Sequence, residues 1–139
     1  MPATRYEILL PRRYNDGSAI EPEKLLLVRQ ELFERFGALT VDPHPLEGIW
    51  TQAGVTFEDV LLKYVVDVSD DTADVQAFFC QYKEVLKDRL RQFDIWIVAY
   101  PIRVVWLQRS LTRDSVAEAV PLAVDRRHSK FAKPVPAGL

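Results

Sequence analysis

The feature that most constrains the fold is an alternating apolar pattern in residues 60–68. The even-numbered positions are all apolar or aromatic, whereas the odd-numbered positions from 59 to 67 mix Asp, Leu, Lys and Val. Because successive side chains of a β-strand point to opposite faces of a sheet, this alternation predicts a strand with one core face and one half-apolar face. We therefore interpret residues 60–68 as the central strand around which the other elements are arranged.

A strand and a helix are predicted before this central strand. Residues 5–10 alternate in the same way and end at Pro11. Pro22 suits the first position of a helix, and Gly37 suits the position just after its end, where a positive φ is needed. Between them lies an apolar stripe at helical spacing, formed by Leu25, Val28, Leu32 and Phe36.

The remaining elements are predicted on both sides of residues 60–68. Residues 39–52 are predicted to form an edge strand with a break, because Pro43 and Pro45 cannot donate to a β-ladder. A turn at residues 53–56 joins it to the central strand as a β-hairpin. A second helix is predicted over residues 73–92, with an apolar stripe formed by Val75, Phe78, Phe79, Tyr82, Leu86 and Leu90. Residues 93–100 are predicted to form the last strand, with Phe93, Ile95, Ile97 and Ala99 on its core face.

The element order predicts a ferredoxin-like α+β fold. Strand, helix, strand, strand, helix, strand is the split βαβ arrangement, and right-handed crossovers place both helices on one face of a four-stranded antiparallel sheet. The first and third strands are then central. We assign residues 1–107 to this domain and residues 108–139 to a basic C-terminal extension.

Length and composition fit one soluble domain. The chain has 139 residues and no run of about 18 apolar residues, so no membrane span is predicted. The first residues lack the apolar core of a signal peptide. The single Cys80 permits no internal disulfide, and these observations together favour the cytoplasm.

The charge is distributed unevenly along the chain. Residues 1–102 carry 11 Lys or Arg against 17 Asp or Glu, a net charge of −6, and residues 103–139 carry 7 against 3, a net charge of +4. An acidic body with a basic extension suggests that the extension contacts its own body, a second copy or an anion. A protein partner bound through residues 108–139 is a further expectation.

Two helices cover only one face of the predicted sheet, so the other face is open. The side chains expected there are unusually apolar for a solvated surface. The interface candidates are Leu9, Leu61, Lys63, Val65, Trp96, Val98 and Tyr100. Three interpretations remain: the C-terminal segment covers this face, a second copy pairs with it, or it is a platform for a ligand or a nucleic acid. We favour a homodimer.

The sequence offers few candidates for chemistry. Arg12 and Arg13 precede the first helix and are candidates for holding a phosphate or carboxylate. Trp50 and Tyr64 are candidates for lining a ligand pocket with Arg13 between the sheet and the helices. Neither histidine has a partner spaced for a metal site or a catalytic triad, and no nucleotide-binding or hydrolase motif occurs, so no metal and no cofactor is predicted. Nucleic-acid binding is disfavoured by the acidic body and by the missing aromatic signature of RNA-binding sheets.

Four short segments carry a resemblance to known proteins. They are YEILLP at 6–11, YNDG at 14–17, EGIW at 47–50 and IWIVAYPI at 95–102. Over residues 5–104 the chain resembles a group of small, uncharacterised bacterial proteins common among cyanobacteria. The resemblance implies no activity and no site residues. At the level of the fold the chain also resembles dimeric α+β barrel proteins, some of which are monooxygenases that handle haem or quinones, although fold alone does not fix function.

The leading functional hypothesis is therefore a non-catalytic, homodimeric interaction module that uses the open sheet face. The alternative is a small dimeric enzyme of the α+β barrel type that binds a small molecule between sheet and helices.

Overall fold

The computed structural model describes residues 2–105, which form four strands and two helices in the predicted order. The elements are β1 (Pro2–Pro11), α1 (Pro22–Phe36), β2 (Thr40–Gln52), β3 (Val55–Val68), α2 (Ala73–Arg89) and β4 (Trp96–Arg103). Residues 108–139, the predicted C-terminal extension, lie outside the described residues. The proposed division of the chain at residue 107 therefore stays a prediction.

The sheet has β1 and β3 at its centre, as predicted. The strand order is β2-β3-β1-β4, and every neighbouring pair is antiparallel. Ile8 on β1 lies opposite Tyr64 on β3 and Ile97 on β4. The alternation that defined residues 60–68 thus continues across three strands.

Both helices pack on the face that carries the even-numbered residues of β1 and β3. Tyr6, Ile8 and Leu10 are buried together with Leu62, Tyr64 and Val66. Helix α1 contributes Val28 and Leu32 to the same cluster, and α2 contributes Phe79, Tyr82 and Leu86. These contacts confirm the ferredoxin-like fold and leave the odd-numbered face of the sheet without a helix among the described residues.

The helix boundaries follow local sequence signals. Gly37 ends α1 with a φ of 75°, and its N–H donates to the carbonyl of Phe33. The Thr72 hydroxyl caps α2 by accepting from the Val75 N–H at 3.3 Å. Helix α2 ends at Arg89, earlier than the predicted residue 92. Arg91 adopts a φ of 50°, which lies outside the helical region, so the helix cannot continue through it.

Strand β4 corrects one part of the sequence prediction. It begins at Trp96 rather than at residue 93, and it extends to Arg103. Ile95 is buried as expected, but Phe93 is exposed and its ring contacts Trp50 and Phe57. The period-2 pattern overestimates the strand at this end because the turn after α2 places Phe93 outside it.

The hairpin of β2 and β3 is longer than predicted. Strand β3 begins at Val55, and β2 shows the expected irregularity, a shift in register between Asp42 and Leu46 around the two prolines. We call residues 48–59 the hairpin arm. The last pair between β1 and β3 joins Pro11 to Leu61. The arm extends past this pair, and there β2 and β3 pair only with each other.

The turn of the hairpin arm holds a testable strain. Ala53 and Gly54 both have positive φ, 50° and 78°, a combination typical of a two-residue turn that favours Asn-Gly. An alanine in this region costs about 1 kcal/mol, so we expect Ala53→Asn to raise the free energy of unfolding by roughly 0.5–1 kcal/mol. Urea denaturation measures the change. Gly54→Ala should instead lower the free energy of unfolding, because alanine is strained at a φ of 78°. A Cβ there meets no atom within 4 Å, so the cost comes from the backbone alone.

Candidate functional site

The open face of the sheet, formed by the odd-numbered residues of β1 and β3 and their neighbours, is the candidate site. Two rows of side chains cross it. In one row Glu7 lies between Val98 and Val65, and in the other Leu9 lies between Trp96 and Lys63. The seven interface candidates are all partly or largely exposed, with Trp96 at 61% and Tyr100 at 39%. The structure therefore brings the seven candidates to one surface, while their role in an interface stays a prediction.

Charged groups near one end of this face are paired with each other. Arg5 donates two hydrogen bonds to the Asp67 carboxylate, at 2.7 and 2.9 Å, and these bonds lower the pKa of Asp67. The Tyr100 hydroxyl donates to Glu7 at 2.6 Å, which raises the pKa of Tyr100. An exposed ion pair such as Arg5 with Asp67 contributes little to stability, but it leaves fewer uncompensated charges beside the apolar side chains.

The hairpin arm forms a pocket with the opposite end of the same face. The pocket has a volume of about 500 Å³ and lies between the arm, Pro11 and the start of β4. Apolar side chains supply most of its wall, among them Leu9, Leu61 and Trp96.

Trp50 is held in place within the arm. Its indole Nε1 donates to Oδ2 of Asp59 at 2.6 Å, and its ring stacks on Phe57 at 4.4 Å between ring centres. Phe93 meets both rings at an angle, with ring centres 6.0–6.1 Å away. This aromatic cluster fixes the position of the arm beside the turn that follows α2.

The other ligand candidates do not join Trp50. Tyr64 is 2% exposed, on the helix side of the sheet, and its hydroxyl donates to the carbonyl of Leu25 at 3.4 Å. Arg12 and Arg13 are exposed in the β1–α1 loop, where the Arg13 guanidinium donates to the Gly17 carbonyl at 3.2 Å. Tyr64 and Trp50 thus lie on opposite faces of the sheet. Anion binding by the two arginines stays a prediction.

Sequence reasoning missed Phe57 and Phe93, which pack against Trp50, and gave Asp59 no part in a site. Phe57 continues the odd-numbered face of β3, so the alternation, extended two residues beyond Asp59 towards the N-terminus, would have found it. Phe93 had no such signal, because its position depends on the turn after α2.

Helical membrane spans and clusters of metal-binding side chains are both absent from residues 2–105. Neither described helix is both long and apolar enough to cross a bilayer. Within the same residues, no three His, Cys, Asp or Glu side chains are grouped so that they could share a metal ion.

Comparison with solved structures supports the fold. A phage SAM lyase in complex with S-methyl-5'-thioadenosine matches 76% of this chain and 93% of its own, with 11% identity and a TM-score of 0.53. CutA1 from Oryza sativa matches 76% of this chain and 84% of its own, with 12% identity and a TM-score of 0.51. The divalent cation tolerance protein CutA1 from Thermus thermophilus matches 83% of this chain and 92% of its own, with 20% identity and a TM-score of 0.49.

The two similarities with a TM-score above 0.5, to the phage enzyme and to the Oryza sativa protein, agree with the ferredoxin-like fold. No protein-family model matches the chain, and no curated protein sequence matches it. The comparisons give no support for the resemblance to cyanobacterial proteins; what they support is structural similarity to CutA1 and the phage enzyme. At 11–20% identity that similarity concerns the fold alone.

Proposed function

We propose that this protein is a non-catalytic interaction module that forms a homodimer through the open face of its sheet. The observation that carries the proposal is the apolar surface of Leu9, Val65, Val98 and Trp96, which no described helix covers. Surfaces of this kind on soluble proteins mark contact sites more often than they mark solvated faces.

The energetics favour pairing of two such faces. Burying about 600 Å² of apolar surface contributes roughly 15 kcal/mol before association and ordering costs are subtracted. In a two-fold dimer both subunits use the same patch, so the apolar side chains of one face pack against the apolar face of the second copy. The ion pair of Arg5 with Asp67 suits the polar rim of such an interface, whereas Glu7 lies beside Val65 at the centre and keeps a hydrogen bond from the Tyr100 hydroxyl.

Residues 108–139 are proposed as a second contact, for a protein partner or for the second copy, because of their basic charge against an acidic body. The proposed location is the cytoplasm, supported by the presence of a single cysteine, Cys80.

The alternative, an α+β barrel-type enzyme with a small molecule between sheet and helices, receives less support. The side chains at that position, including Tyr64, Leu32 and Leu86, fill a common core and are at most 2% exposed. The activity of the phage SAM lyase is not transferred to this chain, because the likeness rests on the fold.

Replacing Val65 with lysine tests the dimer. Val65 lies at the centre of the open face, opposite Glu7 on β1, so a lysine there forms a favourable cross-strand pair in the monomer. In a face-to-face dimer the same lysine is desolvated. We expect the wild-type chain to sediment as a dimer of 16.0 kDa subunits at micromolar concentration, and Val65→Lys to weaken association at least 100-fold.

Val60→Lys is the matched control, because Val60 is on the same strand but has the other parity and is already 39% exposed. It should leave the dimer intact. A wild-type chain that sediments as a monomer at tens of micromolar, or a Val65→Lys variant that associates like wild type, contradicts the proposal.

A further inference from the structure

The pocket under the hairpin arm has features that the interaction module does not require. Its wall combines two indole rings, those of Trp50 and Trp96, with the aliphatic side chains of Leu9 and Leu61. Its polar groups are Asp59, Asp94 and Gln92, together with the two residues before the turn, Thr51 and Gln52. A volume of about 500 Å³ falls within the range of small-molecule sites.

The two tryptophans are suited to contact a flat ring. Trp50 is fixed by its hydrogen bond to Asp59 and by its stack on Phe57, so its ring needs no further ordering on binding. Trp96 is 61% exposed and stacks on no other aromatic ring of residues 2–105. Aromatic rings in such positions bind planar ligands by stacking and attract cations to their faces.

The charge of the pocket wall indicates which sign of charge a ligand should carry. Both ionisable side chains in its wall are carboxylates, and no Lys or Arg lines it within the described part of the chain. Asp59 uses Oδ2 for Trp50, which leaves Oδ1 without a hydrogen bond among the described residues. Asp94 bonds to Lys83 at 2.9 Å outside the pocket wall. This arrangement repels anions and offers an acceptor to a ligand that carries N–H groups.

Glycine at position 48 keeps the pocket open. A Cβ added there would lie 2.8 Å from Cδ1 of Leu61, and both residues line the pocket. Any larger residue would therefore push the Leu61 side chain away from its present position. The absence of a side chain at position 48 lets Leu61 keep its present position in the pocket wall.

We propose that this pocket binds a planar aromatic compound that bears an amidinium or amino group. The ring lies against the indoles of Trp50 and Trp96, and the N–H groups donate to Asp59. Aromatic anions such as carboxylates and phosphates are disfavoured by Asp59, which forms no ion pair among residues 2–105, whereas the charge of Asp94 is paired with Lys83. The pocket is formed by one chain, but it shares Leu9, Leu61 and Trp96 with the face proposed for the dimer, so a bound ligand and the second copy compete for these side chains.

Titration of the indole N–H signals by heteronuclear NMR tests this site. Benzamidine and benzoate serve as probes, because they share a planar ring and differ in the sign of their charge. The indole signals are assigned with single Trp→Phe variants. We expect benzamidine to shift the signals of Trp50 and Trp96 and to bind at least tenfold more tightly than benzoate.

Asp59→Asn separates charge from shape. The amide oxygen of asparagine can still accept from the Trp50 indole, so the arm keeps its position while the negative charge is lost. We expect this variant to bind benzamidine about tenfold more weakly. Glu58→Gln, which removes one charge from the other face of the same strand, should change the affinity less than twofold.

Trp96→Ala provides a second variant at an exposed position, and it should weaken binding of benzamidine at least fivefold. Equal affinity for benzamidine and benzoate, wild-type affinity in Asp59→Asn, or unshifted Trp50 and Trp96 signals at 10 mM benzamidine would overturn the proposal.

Discussion

Replacing Phe79 with alanine is expected to lower the free energy of unfolding by about 4 kcal/mol, the largest effect of any substitution considered for this protein. Phe79 is 4% exposed on α2, and its ring stacks on Tyr6 of β1 with 3.8 Å between ring centres. Its ring also stacks on Phe36 of α1 at 5.3 Å. Removal of the ring leaves a cavity where both helices meet the sheet, and urea denaturation measures the cost.

The Phe79 ring also packs beside a partly buried hydrogen bond of Tyr6. The Tyr6 hydroxyl donates to Asp71 at 2.6 Å, and burial, together with this bond, raises the pKa of Tyr6. Loss of the Phe79 ring exposes Tyr6 as well, which adds to the destabilisation.

Phe33→Ala is the control for this prediction. Phe33 lies on α1 and is 59% exposed, so the same change of residue should cost less than about 1 kcal/mol. Similar losses for the two variants would mean that the helices do not present the described faces to the sheet.

Replacing Ile8 with alanine is the second large prediction, with an expected loss of about 3 kcal/mol. Ile8 is fully buried at the centre of the sheet, between Tyr64 and Ile97. The missing carbons leave a cavity that neither neighbouring strand can close, because both are held by their ladders. Thermal and urea denaturation both report the change.

Leu9→Ala gives the matched comparison at the adjacent residue. Leu9 points to the open face and is only partly buried, so its truncation should cost less than about 1 kcal/mol when measured in the Val65→Lys background, where association does not contribute. A larger loss of stability for Leu9→Ala than for Ile8→Ala would mean that the helices cover the odd-numbered face, and this would remove the basis of the proposed interface.

Much of the fold could be predicted because each element carries its own local signal. Alternation in residues 60–68 identified the strand that proved central, and Gly37 marked the end of α1 through its positive φ. Pro43 and Pro45 indicated an edge strand, and β2 lies at the edge with a shifted register there. These signals depend on residues close together in the chain, so a single sequence is enough to detect them.

The candidate site was only partly predictable for the complementary reason. The open face followed from the parity of the strands, and the seven side chains named for it lie on that face. The pocket did not follow, because it requires Trp50 and Asp59 of the arm to approach Trp96, which is 46 positions after Trp50 in the sequence. Tyr64 was paired with Trp50 in the prediction although their side chains lie on opposite faces.

The sequence by itself determined which residues turn inwards, since a strand has a period of two and a helix a period of 3.6 regardless of their surroundings. Only the tertiary structure decided how far the hairpin arm extends, where Phe93 lies and what space remains beneath the arm. Those features arise from contacts between distant segments, whose geometry is set by the packing of the whole sheet and leaves no local periodic trace.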